Sequence, residues 1–285
     1  MKNCFFISLI LFIASSCALA FEVTVTPVKP KGGEGLRVEI ADNSPLTHTI
    51  SFRGISYRVY RCDENKKEAF IPIGIETTGK NLLKVSKKFL FFTVETKTLE
   101  INVTPCKINK IILKESDEKM RDDQPAVDVQ QDRVLQCINT KSKFKLWSGA
   151  FQVPIKSKSK PNFANRRTGK THDYYHKGID LGGKKRTAIK ATNSGRIILA
   201  GENFNVYGNV IVIDHGQGVV SCYFHLNKLL KKENDMVSKG EIIAQLGNTG
   251  WSTAPHLHFG VYLHSDAVDP LWWIEFTSNI SHNIK

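Results

Sequence analysis

The stretch Pro255-His256-Leu257-His258-Phe259 alternates histidines with apolar residues near the carboxy terminus. In a β-strand, residues i and i+2 share a face, so the two histidines point one way and Leu257 and Phe259 the other. The Cα atoms of His256 and His258 would lie about 6.6 Å apart, at ~3.3 Å per residue. Both rings could reach one cleft, but the same pattern is typical of a strand face with two solvated histidines.

A second segment, Tyr175-His176-Lys177-Gly178-Ile179-Asp180-Leu181, holds a histidine and an aspartate four residues apart. In an extended strand their Cα atoms would lie about 13 Å apart. Metal–ligand bonds are only ~2 Å long, so a shared metal requires a bend between the two residues. Gly178 permits such a bend.

A third segment, Tyr223-Phe224-His225-Leu226, adds another histidine. His176, Asp180 and one further histidine would supply two nitrogens and one carboxylate oxygen. Three protein ligands plus water are typical of a catalytic zinc site, whereas structural sites usually have four. The histidines that do not bind metal could then act as general base or stabilise an oxyanion.

The region that contains these segments resembles the lysostaphin/LytM-type zinc endopeptidases, enzymes that cut peptide bridges in bacterial cell wall. The resemblance covers residues 147–270. Besides the three segments it runs through Phe163–Arg167, Ala191–Ile197, Tyr207–Val212, Asp214–Gly216, Gly247–Gly250 and Asp269-Pro270.

The resemblance implies a role for each of these histidines and for the aspartate. His176, Asp180 and His258 match the zinc ligands, and His225 and His256 match the two catalytic histidines that do not bind metal. The candidate substrate contacts are Arg166 and Arg167, although two surface charges are an equal alternative. Three residues stand where the family usually has glycine, and none of them is a ligand: Ala164, Asn234 and Ala254.

On this resemblance we expect a zinc metalloendopeptidase that hydrolyses peptide cross-links of peptidoglycan by attack of zinc-bound water. A D-Ala–diaminopimelate cross-link is the first choice of bond and a glycine bridge the second. The alternative is a non-catalytic LytM-type regulator that activates other cell-wall hydrolases. Such regulators lack part of the metal set, whereas this chain has all of it, which favours the enzyme.

The rest of the chain predicts a mainly β protein with two domains. Residues 21–115 alternate apolar and polar residues between turn signals, which indicates a β-sandwich-like domain. It loosely resembles the accessory domain of some periplasmic wall peptidases through Ala69–Ile75, and its single histidine, His48, is expected to be exposed. Residues 116–142 form a connector with a short helix over Asp132–Ile138, and residues 143–285 form the antiparallel β-sheet peptidase domain.

Residues 1–20 are typical of a signal peptide, with an apolar run from Phe5 to Ala14 and a cleavage site at Ala18-Leu19-Ala20. We therefore expect an exported, periplasmic or envelope-associated protein with no transmembrane segment in the mature chain. Lipid attachment at Cys17 is a second possibility. Four other cysteines remain, namely Cys62, Cys106, Cys137 and Cys222, and the first two are the preferred pair because they share a predicted domain.

The chain is strongly basic, with 40 Lys and Arg against 27 Asp and Glu and a net charge of +13 over 285 residues. Such a surplus favours a polyanionic partner. The sequence contains no recognised nucleic-acid motif, and its basic residues are scattered, so a nucleic-acid binder is not expected. Attraction to anionic peptidoglycan or to an envelope surface accounts for the charge.

Overall fold

The computed structural model describes residues 20–113, 124–140 and 142–282. The predicted signal peptide up to residue 19, with the candidate lipid site Cys17, lies outside these residues. The fold is mainly β, as the sequence predicts. Within the described ranges, no helix is long and apolar enough to cross a membrane.

The amino-terminal part is a sandwich of two four-stranded antiparallel sheets, in the orders β1-β2-β6-β5 and β4-β3-β7-β8. Its strands are β1 (Glu22–Thr26), β2 (Gly35–Ala41), β3 (Thr47–Phe52), β4 (Ile55–Arg58), β5 (Tyr60–Arg61), β6 (Lys66–Pro72), β7 (Gly79–Phe89) and β8 (Phe92–Val103). Alternate residues of β2, Leu36, Val38 and Ile40, are buried in one apolar cluster with Ile50 and Val85 of the other sheet. The alternation in the sequence therefore packs the two sheets face to face.

The expected exposure of His48 is wrong, because His48 lies on the inward face of β3 in line with Ile50 and Phe52. It belongs to a buried polar cluster. The Nε2 of His48 lies 3.1 Å from Asp42 Oδ2, and Lys67 Nζ lies 3.1 Å from His48 Nδ1. Burial, together with the charge of Lys67, lowers the pKa of His48 to about 4.

The carboxy-terminal part is built on a nine-stranded sheet whose pairings are all antiparallel. Six strands follow the order β12-β19-β16-β15-β14-β17, β18 pairs with β13 and β16, and β20 pairs with β19. The strands are β12 (Ile179–Gly182), β13 (Ala188–Lys190), β14 (Gly195–Phe204), β15 (Gly208–Gly216), β16 (Val219–Leu229), β17 (Met236–Val237), β18 (Ile242–Leu246), β19 (His256–Leu263) and β20 (Asp266–Val268). Strand β15 is buried throughout, as expected for a strand at the centre of a core.

The segment between the two parts packs against the carboxy-terminal part. A three-stranded sheet joins β9 (Lys110–Ile112) in parallel to β10 (Arg166–Thr168), which pairs with β11 (Asp173–Tyr175). Helix α1 (Gln124–Ile138) is longer than the predicted Asp132–Ile138, because a proline at the second position is tolerated in a first helical turn. The proposed domain limits stay a prediction.

The two parts meet at one end of the sandwich. The backbone N–H of Asp269 donates to the carbonyl of Gly33 at 2.7 Å. A Cβ on Gly35 would lie 3.0 Å from Leu263 Cδ1 and 3.2 Å from Trp272 Cη2, so these two side chains pack directly on the Gly35 backbone. Trp272 belongs to helix α2 (Pro270–His282), and the next residue of that helix, Trp273, is fully buried.

The preferred disulfide is not formed, since Cys62, Cys106, Cys137 and Cys222 are all free. Cys62 follows β5 and its N–H bonds to Lys66, which pairs with Ala41 at the end of β2. Cys106 follows Thr104, which is bonded to Gly32 before the start of β2. Opposite ends of a seven-residue strand are about 20 Å apart, far beyond the ~6 Å Cα separation of a disulfide.

Candidate metal centre

Three predicted ligands meet where β12 runs beside β19. Asp180 lies directly opposite His258 in the antiparallel register, and His176 precedes β12. Gly178, where the sequence predicts a bend, is a point of close approach, because a Cβ there would lie 2.6 Å from the carbonyl oxygen of Phe259 and 2.7 Å from His258 Nε2. The strand pairing thus brings residues 78 positions apart in sequence to one point.

The three donor atoms form a nearly equilateral triangle. The Nε2 of His176 is 2.9 Å from His258 Nδ1 and 3.1 Å from Asp180 Oδ1, and the latter two atoms are 3.2 Å apart. Three ligands on a tetrahedral zinc with bonds of ~2.0 Å would lie about 3.3 Å apart. Two imidazole nitrogens and a carboxylate oxygen are also donors that zinc accepts, so these residues fit a zinc ion.

Burial and hydrogen bonding hold these side chains in the forms that bind metal. Burial lowers the pKa of His258 to about 4, so its ring is neutral at physiological pH. Burial would raise the pKa of Asp180, but hydrogen bonds from His176 and His258 outweigh it and hold that pKa well below its usual value. Metal binding requires neutral histidines and a charged carboxylate, so little proton release is needed.

Asn162 fixes two of the three ligands, and sequence reasoning missed it. Its backbone carbonyl accepts a hydrogen bond from Nδ1 of His176 at 3.0 Å, which leaves Nε2 as the donor to a metal. Its side-chain Nδ2 donates to Asp180 Oδ2 at 2.9 Å, and its Oδ1 accepts the Asp180 N–H at 2.9 Å. Phe224 stacks on the His258 ring, with centroids 5.3 Å apart.

The two further histidines lie beside this triangle. His225 has φ 61° at a bulge in β16, and its ring centroid is 4.7 Å from that of His256. The carbonyl of Thr249 accepts from Nδ1 of His225 at 2.8 Å, so Nε2 of that ring carries a free lone pair. The carbonyl of Ala254 likewise accepts from His256 Nδ1 at 2.8 Å, and His256 Nε2 lies 3.6 Å from Asp180 Oδ1.

The sequence thus predicted five residues that the structure brings together. Burial is the main cause that lowers the pKa of His225 to about 3, with the neighbouring His256 adding to it. The backbone of His225 is strained, because a positive φ is unfavourable for a residue other than glycine. Such strain tends to occur at functional sites. The roles of His225 and His256 stay a prediction.

The two predicted substrate arginines have different surroundings. The Nη2 of Arg167 lies 2.8 Å from Asp180 Oδ2, so its charge is directed at a candidate metal ligand. Arg166, also on β10, forms two hydrogen bonds with Asp173 of 2.9 and 2.6 Å in an exposed pair. Their contact with substrate stays a prediction.

The centre opens into a cleft of about 770 Å³. One wall is aromatic, with the rings of Tyr174 and Trp251 6.2 Å apart. Another wall is contributed by α1, through Asp128, Gln131, Val134, Leu135 and Ile138. Sequence reasoning could not predict that the connector helix lines the cleft, because its apolar spacing is equally that of a helix buried on one face.

His215, His264 and the glycine replacements are not among the three donor residues, although the N–H of Ala164 donates to the carbonyl of His176 at 2.9 Å. His215 is buried and bonded to Ser194 O at 2.7 Å and Ser221 Oγ at 2.8 Å, which makes it a core residue. His264 is partly buried, with its ring centroid 5.4 Å from that of Tyr57. Ala164 and Asn234 have φ of 58° and 73°, so both adopt the left-handed conformation that glycine favours.

Comparison with known sequences identifies the domain that holds this centre. Residues 174–270 match the model of peptidase family M23. The chain carries a peptidase family M23 domain. All five predicted residues of the centre, His176, Asp180, His225, His256 and His258, lie within the matched range.

The relatives of this M23 domain include proteins with different names. Over 125 residues the chain is 36% identical to the murein hydrolase activator NlpD of Salmonella dublin, covering 44% of this chain and 31% of that protein. Over 120 residues it is 35% identical to an uncharacterized metalloprotease of Haemophilus influenzae, covering 42% of this chain and 25% of that protein. The chain therefore spans about a quarter to a third of the length of these curated relatives.

A similar fold is known from the crystal structure of a "putative peptidase M23" of Pseudomonas aeruginosa. The TM-score is 0.60 at 21% identity, and the likeness covers 86% of this chain and 94% of that one. At this identity the likeness concerns the fold alone. It extends beyond the M23 domain into the residues that precede it.

Proposed function

We propose that this chain is a zinc-dependent metalloendopeptidase that hydrolyses peptide cross-links of bacterial peptidoglycan. The observation that carries the proposal is the complete donor triangle of His176, Asp180 and His258 with two further histidines beside it. Three protein ligands leave one position of a tetrahedral zinc for water or substrate, which is the arrangement of catalytic sites.

Zinc held by His176, Asp180 and His258 would supply a Lewis acid that polarises the scissile carbonyl and acidifies water at neutral pH. The free Nε2 of His225 is placed to accept a proton, because Thr249 O fixes the proton of that ring on Nδ1. We propose that the neighbouring His256, whose ring centroid is 4.7 Å from that of His225, stabilises negative charge on the amide oxygen. No residue is required as a covalent nucleophile.

The cleft suits a peptide bound in an extended form beside the metal centre. We propose that Arg167, which lines the cleft, and Arg166 contact substrate carboxylates, as expected for a peptide rich in free carboxyl groups. A D-Ala–diaminopimelate cross-link remains the first choice of bond and a glycine bridge the second.

We further propose that the protein works in the cell envelope. Residues 1–20 have the pattern of a signal peptide, the relative from Salmonella dublin is named for an action on murein, and the net charge is +13. Cleavage before Phe21 and lipid attachment at Cys17 are alternatives that N-terminal sequencing and mass measurement of the exported protein separate. The limits 21–115, 116–142 and 143–285 are proposed as sandwich, connector and peptidase.

The experiment is digestion of defined muropeptide dimers followed by mass spectrometry. One set of dimers carries the D-Ala–diaminopimelate link and a second set carries a glycine bridge. We expect the first set to be cut to monomers by the purified protein, with loss of cutting on chelation and recovery on added zinc. Intact dimers of both kinds, with a full complement of bound zinc, would contradict the proposal.

A second candidate function is activation of another wall hydrolase, which the name of the Salmonella relative favours. It predicts that the protein stimulates a purified murein amidase while leaving dimers intact. The variant His176→Ala separates the two functions. An enzyme loses hydrolysis with this substitution, whereas an activator that needs no metal keeps its stimulation.

A further inference from the structure

The hairpin formed by β7 and β8 ends in an apolar tip that is largely exposed. Phe89, Leu90, Phe91 and Phe92 are 57%, 72%, 95% and 73% exposed. Leu90 and Phe91 form a two-residue turn, and Leu90 has φ 52°. Such turns normally use Asn, Asp or Gly because those residues tolerate positive φ. Leu90 costs backbone strain here, and none of the four apolar side chains belongs to a core cluster, so the tip points to a partner.

Basic side chains flank this apolar tip. The hairpin carries five lysines, at 80, 84, 87, 88 and 97, against two glutamates, at 95 and 100. Lys87 is buried on Asp42 and Lys80 pairs with Glu100 at 3.2 Å. The lysines left over near the tip complement an anionic surface. Exposed apolar residues with a basic margin are typical of segments that enter the interface of an anionic bilayer.

The amino-terminal chain enters the sandwich at the same end as the tip. The Phe21 ring lies 5.1 Å from Lys97 Nζ and 5.9 Å from Lys87 Nζ. Lys87 is only two residues from Phe89, the first residue of the tip. In the sequence, residues 1–19 precede this point and include the apolar run Phe5–Ala14 and Cys17. A signal peptide still in the membrane, or a lipid on Cys17, would therefore hold this end of the molecule at a bilayer.

The peptidase domain meets the sandwich at the end opposite the tip and also along β6, where Phe70 packs on Trp147 and Trp273. Strand β8 runs 12 residues from the tip, and Thr104 just beyond it bonds to Gly32. Gly33 next to it accepts the N–H of Asp269 in the peptidase part. At ~3.3 Å per residue the strand spans about 36 Å. The metal centre lies towards that far end, because Tyr175, next to His176, donates to Glu76 Oε1 at 2.7 Å in the loop between β6 and β7. A bilayer at the tip would therefore leave the metal centre clear of the lipid.

We propose that the tip Phe89–Phe92 inserts into the surface of an anionic phospholipid bilayer. The four side chains enter the interface while Lys84, Lys88 and Lys97 face the headgroups, with their stems along the apolar boundary. The sandwich then orients the peptidase domain away from the membrane even after residues 1–20 are removed. This inference does not depend on the catalytic proposal.

The test is flotation of the chain from Phe21 onward, which lacks any signal peptide or lipid. The probes are vesicles of phosphatidylethanolamine with phosphatidylglycerol, and vesicles of phosphatidylcholine alone. We expect the protein to float with the anionic vesicles, less so at high salt, and at least tenfold more weakly in the double variant Leu90→Ser, Phe91→Ser. The control Phe144→Ser removes an aromatic ring that is 81% exposed between two lysines elsewhere, and should float like the parent.

Two further measurements keep the result interpretable. Urea unfolding and hydrolysis of soluble muropeptides should be the same for the tip variant and the parent, because the tip touches neither core nor cleft. Failure of the parent to float, or equal flotation of the tip variant, would overturn the proposal. A dimer that depends on the tip in sedimentation velocity, without flotation, would overturn it in favour of a second copy as the partner.

Discussion

At the scale of single residues, the candidate metal centre depends on groups that direct each ring. Backbone carbonyls of Asn162, Thr249 and Ala254 accept hydrogen bonds from Nδ1 of His176, His225 and His256, respectively. Each carbonyl leaves Nε2 of its ring available, either to a metal or to a reacting group. A carbonyl acceptor has no side-chain signature, so this part of the centre could not be predicted from the sequence.

Loss of the Arg167 guanidinium should weaken zinc binding, because Arg167 holds the ligand Asp180 through its second oxygen. We expect Arg167→Ala to lower the zinc affinity about 10–100-fold, the range for residues that support a ligand. Arg166→Ala is the matched control on the same strand, since its side chain pairs with Asp173 at the surface. Competition with a chromogenic chelator measures both. Equal zinc affinities for the two variants would assign Arg167 no supporting role.

His225 should matter for turnover and not for metal binding. We expect His225→Ala to keep one zinc per chain and to lose about 10²–10⁴-fold in kcat, the contribution of a positioned acid or base. His176→Ala should lose both zinc and activity. Elemental analysis and muropeptide kinetics on the same samples distinguish the two outcomes. A His225→Ala protein without zinc would place His225 among the ligands instead.

At the scale of elements, antiparallel pairing brings the metal ligands of the candidate centre together, and the connector lines the cleft beside them. The β12–β19 register sets Asp180 opposite His258, and the short repeat of histidines predicted that strand correctly. The β9–β10 pairing could not be predicted in this way. Strand β9 has only three residues, and it pairs in parallel with residues 56 positions later in the chain. Neither length nor alternation signals such a partner, so the sequence assigned residues 110–112 to the sandwich region alone.

Helix α1 should contribute to the stability of the peptidase domain. Ile138 is 2% exposed in the apolar cluster of that domain, whereas Val129 of the same helix is 71% exposed. We expect Ile138→Ala to lower the free energy of unfolding by about 2–4 kcal/mol, and Val129→Ala to change it by less than about 0.5 kcal/mol. Urea unfolding followed by tryptophan fluorescence measures both. Similar losses for the two variants would show that α1 does not pack as described.

At the scale of the whole molecule, the buried apolar residues form two clusters. One lies within the sandwich, and the other lies within the peptidase domain and includes Phe70 of β6. The sandwich contains a buried polar cluster of Asp42, His48, Lys67 and Lys87, and the peptidase domain has the metal centre. The sequence predicted both β units and their order, because alternation and turn residues are local signals. It could not predict the polar cluster, because His48 and the lysines look like surface residues until their strands are aligned.

The sandwich should lose stability as the pH falls. The folded pKa of His48 is about 4, below its ordinary 6.5, so the folded state binds the proton less well than the unfolded state. Stability is therefore full above pH 6.5 and declines toward pH 4, by roughly 1–3 kcal/mol. His48→Gln should flatten this decline in urea unfolding between pH 7 and 4.5. An unchanged slope in the variant would assign the acid sensitivity to other groups.

The central claim is that this chain itself cuts peptidoglycan with a zinc ion held by His176, Asp180 and His258. The most direct measurement is release of soluble muropeptides from purified, amidase-free sacculi by the protein and by His176→Ala, with the zinc content of each sample. We predict one zinc per chain and steady release for the protein, and neither for the variant. Zinc-loaded protein that releases nothing, or a metal-free variant that releases as much as the parent, would contradict the account.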